Sequence, residues 1–305
     1  MAHPHGSLGF HSLDSVSAAS EITRKAKSNL AFALQILPPA KRQDMVVFYA
    51  FCRTMDDLAD DPAVPQEDRL RSLAAWETGL SEGFANPGEF EQEVISLRDR
   101  KEIPNHLLLA IIDGCRMDLQ PQRFATWQDL SSYIWKVACA VGLVSTRLFG
   151  CTDPASERYA VALGHALQLT NILRDIGEDY ENGRRIYLPL EDLARFGLSE
   201  ADLAAWVEDA GRPPSAASGD GRFLAALAYQ AERADGYFRE AAEALPAADR
   251  GALLPARIMG EIYRHLLAEM RADGFHVCGK RYRVSKPRKL AILAKHLIAR
   301  SCGIR

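Results

Sequence analysis

The sequence predicts an all-α fold. Through most of the 305 residues, apolar side chains recur at three- and four-residue spacing, which lines them along helix faces. Strand-like alternation of Val, Ile and Thr is nearly absent, and no Asn-Gly turn joins two alternating runs.

Taken in order, the spacing predicts helices over Glu21–Leu37, Ala40–Asp61, Pro65–Leu80, Glu89–Lys101, Pro104–Leu119, Trp127–Phe149, Pro154–Tyr180, Ser199–Glu208, Arg222–Ala244, Ala247–Asp273 and Pro287–Arg300. Pro38-Pro39 closes the first, because proline is excluded from a helix interior but suits the first turn of the next helix. Ser199-Glu200-Ala201-Asp202 has the form of a capping box. Gly211–Gly221, rich in Pro, Ser and Gly, is expected to be a flexible loop. No linker divides the helical core, so one all-α domain is expected over 21–305, after a disordered N-terminal segment over 1–20.

Composition narrows the function. At 48% hydrophobic residues the chain can bury a large core, and a net charge of −3 argues against nucleic acid as a partner. The six cysteines show no Cys-x-x-Cys pair and no histidine at zinc spacing, so reduced thiols and a cytoplasmic setting are expected. No signal peptide and no membrane-spanning run is expected.

Two acidic clusters carry the chemistry. In the first, Tyr49, Arg53, Asp56 and Asp60 form one stripe at 100° per residue, beside an apolar arc of Met45, Phe48, Cys52, Met55 and Ala59. Asp57 and Asp61 fall further round, so Asp56 and Asp60 are the expected inward pair. Carboxylates bordering a core are costly unless a cation serves them. A solvated acidic helix end would also give such a run, although acids there oppose the helix dipole.

The second cluster places Gly164, Gln168, Asn171, Asp175 and Asp179 on one stripe next to Leu169, Ile172, Leu173 and Ile176. Asn171, Asp175 and Asp179 offer oxygen ligands along about 12 Å. Mg²⁺ takes oxygen donors, commonly one or two carboxylates completed by water and phosphate. Gly164 is expected to leave room for a substrate chain. A plain polar face, with Arg174 and Glu178 paired, is the alternative. An allylic diphosphate fits two such rows. Cations neutralise the departing diphosphate, and an aromatic pocket keeps the carbocation from water. Phe32, Phe48, Tyr49, Tyr133 and Trp135 are the candidate aromatics.

These residues carry a resemblance. Tyr49–Asp60, Tyr133–Gly142, Leu167–Asp179 and Arg185-Ile186-Tyr187-Leu188-Pro189 together resemble the squalene/phytoene synthases, from about Lys27 to Leu293. The resemblance implies a helical isoprenoid-synthase fold with a central cavity. It implies that Asp56, Asp60, Asn171, Asp175 and Asp179 bind two or three Mg²⁺ ions with diphosphate, and that the aspartates are catalytic. Arg53, Arg174 and Arg281 match phosphate-contacting positions, with Lys280 as the alternative to Arg281. Tyr133, implied to be catalytic as well as substrate-binding, matches a cavity tyrosine near the reacting carbons, Tyr263 one close to the diphosphates, and Gln168 joins the substrate-binding set. Two positions depart from the pattern. Ser28-Asn29-Leu30 replaces a hydroxyl-bearing element, and Cys139 stands where glycine is common, adding bulk where substrate would lie. Cys139 is expected to be a packing residue, since its chain neighbours offer no activation.

Two segments, Lys280–Leu290 and Ala256–Arg264, look most like bacterial presqualene diphosphate synthases. The expected reaction is therefore head-to-head coupling of two farnesyl diphosphates to presqualene diphosphate, without a requirement for NADPH. Phytoene synthesis from geranylgeranyl diphosphate, or formation of squalene or dehydrosqualene, are the near alternatives. A terpene cyclase and a non-catalytic assembly factor are the distant ones. Over 280–300 the chain holds eight Lys or Arg and no acid, interleaved with Leu290, Ile292, Leu293, Leu297 and Ile298. Such a helix suits either peripheral contact with an anionic membrane or packing on the acidic body.

Overall fold

The computed structural model describes Ala19 and residues 33–209 and 221–301. The predicted first helix lies outside these residues except at its end, as do Ser28-Asn29-Leu30, Phe32 and most of the predicted 211–221 loop.

The described chain is helical. In order run α1 (Pro39–Asp60), α2 (Gln66–Glu82), α3 (Glu89–Arg100), α4 (Asn105–Met117), α5 (Trp127–Ile134), a π-helical segment (Trp135–Cys139), α6 (Ala140–Phe149), α7 (Ala155–Glu181), α8 (Leu190–Arg195), α9 (Glu200–Glu208), α10 (Gly221–Ala244), α11 (Leu254–Ala272) and α12 (Lys286–Ser301). Among the described residues no strand forms, and extended pairing is limited to a bridge between Arg123 and Ile186.

Local chemistry sets most boundaries. Pro39 occupies the first turn of α1, where its missing N–H costs nothing. Thr126 with Asp129, and Ser199 with Asp202, form reciprocal capping boxes at α5 and α9. Gly150 closes α6 at φ 73°, a left-handed conformation natural to glycine. The predicted helix over Trp127–Phe149 is interrupted. The Ala140 N–H reaches the Trp135 carbonyl, so one residue bulges out of the α-helical ladder. Residues 247–253 are turns, and α11 starts at Leu254. The short helix α8 was not expected.

α7 is the axis of the molecule. Ala160, Ala162, Gly164 and Ala166 let neighbours approach closely, and its burial runs nearly all round. α10 packs along it, with α6, the π segment and α11 on other sides. Asp249 caps its approach by accepting from the Thr152 and Asp153 amides at 2.8 Å and from Ser156 Oγ at 2.7 Å. Gly177 lets the 274–284 strap cross α7, because a Cβ there would lie 2.9 Å from Cys278 Cα.

Candidate active site

The first acidic row lies on the last turns of α1. Met45, Phe48, Phe51, Met55 and Ala59 anchor that helix in the core. Arg53 spans Asp56 at 3.0 Å and Asp57 at 2.5 Å. Exposure does not separate the pairs as the helical wheel expected. The side chains of Asp56 and Asp57 are 52% and 55% exposed, because the row opens onto solvent and is not sealed in the core. Crowding by protein, with Asp60 next in effect, pushes the Asp56 carboxyl up to about 6, as expected for a carboxylate in a concave site.

The second row lies on the C-terminal half of α7, where Gln168, Asn171, Asp175 and Asp179 are half-buried. Asn171 Nδ2 donates to Gln168 Oε1 at 3.4 Å, and its Oδ1 is buried with no partner. The Arg174 guanidinium grips Asp175, Nε to Oδ1 at 2.7 Å, and does not pair with Glu178. Tyr263 of α11 bears on the same guanidinium. Burial, then the neighbouring Asp175, pushes the Asp179 carboxyl up to about 7. Arg281 reaches Glu178 at 3.3 Å. Lys280 is drawn off to Asp273 at 2.5 Å, so of the two basic candidates Arg281 stands beside the row.

α1 and α7 do not pack closely on one another. Residues that sequence reasoning did not single out join them. Arg185 Nη2 donates to Asp60 Oδ1 at 2.8 Å and to the Asp118 carbonyl at 3.1 Å, while its amide donates to the Asp179 carbonyl at 3.1 Å. One arginine thereby touches both rows. The turn that delivers it needs Gly183 at φ 134° and Arg184 at φ 57°, which suits glycine at the first position. Asp118, just past α4, adds to the cost of ionising Asp56 and Asp179, and its own carboxyl is pushed up by burial first and also by the charge of Asp60. Its carboxylate accepts from Tyr133 and Tyr187 hydroxyls, each at 2.8 Å. Phe124 completes an aromatic wall, its ring centroid 5.3 Å from Tyr133 and 6.0 Å from Tyr187. Strand-like pairing of 122–125 with 186–191 holds this wall in place. The quoted Arg185–Pro189 segment was the available signal for Arg185 and Tyr187; Asp118 had none.

One expectation keeps its outcome on different grounds, and another is corrected. Cys139 has an activating type of neighbour in space, His165, with Sγ 3.1 Å from Nδ1. Burial nevertheless pushes the thiol up to about 12 and holds the imidazole below its ordinary value, so the pair is neutral and packing remains its role. Gly164 does not open a substrate channel. A Cβ there would lie 2.9 Å from Cys139 Cα, so the glycine takes up the bulk of Cys139 at a helix contact.

The arrangement matches known proteins across nearly its whole length. A family model described as squalene/phytoene synthase fits residues 23–288. The chain belongs to the squalene/phytoene synthase family. Within it, the chain is 34% identical over 299 residues to a 15-cis-phytoene synthase from Synechocystis, covering 92% of this chain and 84% of that protein. It is 35% identical over 278 residues to a presqualene diphosphate synthase from Zymomonas mobilis, covering 90% and 89%. A solved dehydrosqualene synthase in complex with ligand superposes with a TM-score of 0.78 at 28% identity, covering 93% of this chain and 95% of that one. A squalene synthase from Alicyclobacillus acidocaldarius gives 0.71 at 28% identity, covering 84% and 93%. The all-α class agrees with these neighbours, and the protein is a prenyltransferase of the head-to-head squalene/phytoene synthase type.

The donor set of this squalene/phytoene synthase fits Mg²⁺. Among the described residues no three carboxylate, imidazole or thiol groups converge enough to hold an ion alone. Mg²⁺ rarely asks for that, since phosphate and water fill most of its shell. The unpartnered Asn171 Oδ1 and the crowded Asp56 and Asp179 carboxylates are the groups a hard cation would satisfy.

Proposed function

We propose that the protein couples two farnesyl diphosphates head to head (1'-1) and releases presqualene diphosphate. One diphosphate departs with the C–O bonding electrons, the double bond of the second substrate attacks the resulting allylic cation, and loss of a proton closes the cyclopropane. The second diphosphate stays on the product.

The observation that carries this reading is the pair of oxygen rows, on α1 and α7, joined by Arg185 beside the Phe124–Tyr133–Tyr187 wall. Asp56 and Asp60 would hold Mg²⁺ on one side, and Asn171, Asp175 and Asp179 on the other; bound there, the ions would neutralise the leaving diphosphate. Arg53, Arg174, Arg281 and Arg185 offer guanidinium forks to phosphate oxygens, and Tyr263 steadies Arg174. Gln168 orients Asn171. The tyrosine hydroxyls point their hydrogens at Asp118, so electron-rich rings stand beside the cation's path.

The farnesyl donor is favoured by the likeness of Lys280–Leu290 and Ala256–Arg264 to presqualene diphosphate synthases, and the Zymomonas relative supports it. Phytoene formation from geranylgeranyl diphosphate is the second reading, favoured by the Synechocystis relative. Incubation with Mg²⁺ and either donor, with and without NADPH, followed by mass spectrometry, decides between them. The expected product is presqualene diphosphate from farnesyl diphosphate, unchanged by NADPH. Phytoene as the main product would replace the donor assignment, squalene formed with NADPH would extend the reaction, and turnover undiminished by EDTA would remove the metal.

A further inference from the structure

We infer that α12 docks the enzyme on an anionic phospholipid surface, lying on the bilayer with its outer face in the headgroup layer. The two most exposed large apolar side chains among the described residues are Leu290, 56% exposed, and Ile298, 61% exposed, and both belong to this helix. At 100° per residue Leu290, Ala294 and Ile298 fall within about 80° of arc. Ile292 and His296 fall on the opposite side and are buried, and His296 Nε2 meets Glu261 of α11 at 2.9 Å. The helix is therefore clamped to the body by one edge and offers an apolar arc outward.

Charge indicates what covers that arc. The protein as a whole carries −3, yet residues 280–300 hold eight cations and no acid. Lys280, Arg281 and Lys295 are paired with carboxylates of the body. Arg283, Lys286 and Arg288 are exposed and form no ion pair among the described residues. Beside the arc, Arg264, Arg288 and Lys295 line an open groove of about 440 Å³ between α11 and α12, spacious enough for a phosphate headgroup; Glu261 lines it too, paired with Lys295 and His296, so Arg264 and Arg288 are the cations left to face an anion. Apolar side chains flanked by unneutralised cations are what an anionic interface selects, where a protein partner's apolar surface would not need the charge. No described helix is long and apolar enough to cross a membrane, so the contact is one of lying on the surface.

Vesicle flotation of the full-length protein tests this without reference to turnover. The wild type is expected to float with phosphatidylcholine/phosphatidylglycerol vesicles about tenfold or more better than with phosphatidylcholine alone, and to be released by salt. Leu290→Ser with Ile298→Ser, at unchanged circular dichroism, is expected to cut binding by about tenfold or more. If that variant misfolds, Lys286→Glu with Arg288→Glu makes the same test through charge. Equal binding to both vesicle types, no binding, or unaltered flotation of the folded variants would overturn the inference. So would a wild-type dimer in light scattering that the apolar variant converts to monomer, since a second copy would then occupy the face.

Discussion

Removing the Tyr187 hydroxyl should both loosen the fold and slow turnover. That hydroxyl donates to Asp118 Oδ1 at 2.8 Å, and Tyr133 holds the other carboxylate oxygen at the same distance. A hydrogen bond to a charged group contributes about 1.5–3 kcal/mol. Asp118 is only half-buried, so solvent screening brings the expected loss for Tyr187→Phe to about 1–2 kcal/mol. For a chain of 305 residues that is roughly 1.5–3 °C in melting temperature. Asp118→Asn keeps the shape but removes the charge both hydroxyls point at, so it should cost a similar amount and lower kcat about tenfold or more by freeing the Tyr133 ring. In a double-mutant cycle the two changes should be less than additive, since they act on one bond. Differential scanning calorimetry and single-turnover kinetics read both effects. A Tyr187→Phe protein melting within ~1 °C of wild type, or fully additive effects, would refute the idea that the carboxylate holds the aromatic wall.

Four other outcomes are expected. Asp56→Asn and Asp175→Asn should each abolish turnover with helicity intact by circular dichroism, and full activity in either would remove that residue from the metal set. Gly164→Ala should destabilise the protein by about 1–3 kcal/mol through overpacking against Cys139, leaving product chain length unchanged by mass spectrometry; a shortened product would return Gly164 to the cavity. Burial works to raise the Asp249 carboxyl, but donors from Ser156, Asp153 and Thr152 hold it below its ordinary value. Its stabilisation is therefore present above about pH 4 and lost as pH falls through the lower folded value, so Asp249→Asn should be less stable by about 2 kcal/mol at neutral pH, with the gap closing in acid melts. Gly183→Ala should slow turnover more than it lowers melting temperature, because the φ of 134° is unfavourable for alanine and the turn delivers Arg185.

Periodicity made the long helices legible, and with them the two rows, because ligands four residues apart on an amphipathic helix leave a repeating trace. The joint between the rows left none. Asp118 ends a helix, Arg185 and Tyr187 sit in a turn, and their meeting is set by the crossing of 122–125 with 186–191, a long-range contact no local window contains. α8 was missed for a related reason: six residues give too little periodicity to register. The wheel set Asp56 apart from Asp57, yet their side chains are about equally exposed, since hydrophobic pattern distinguishes core from non-core and is blind to whether the non-core side opens on a cleft or on bulk water.

The π segment bears on how this helix can change. One additional residue turns the chain by about 100°, so Tyr133 before the bulge and Val144 and Leu148 after it are aimed independently. Deleting a single residue from 135–139 would restore an unbroken α-helix while swinging either the tyrosine or the core face out of alignment. Substitutions, by contrast, can accumulate on one side without re-aiming the other, leaving pocket shape and helix packing free to diverge separately.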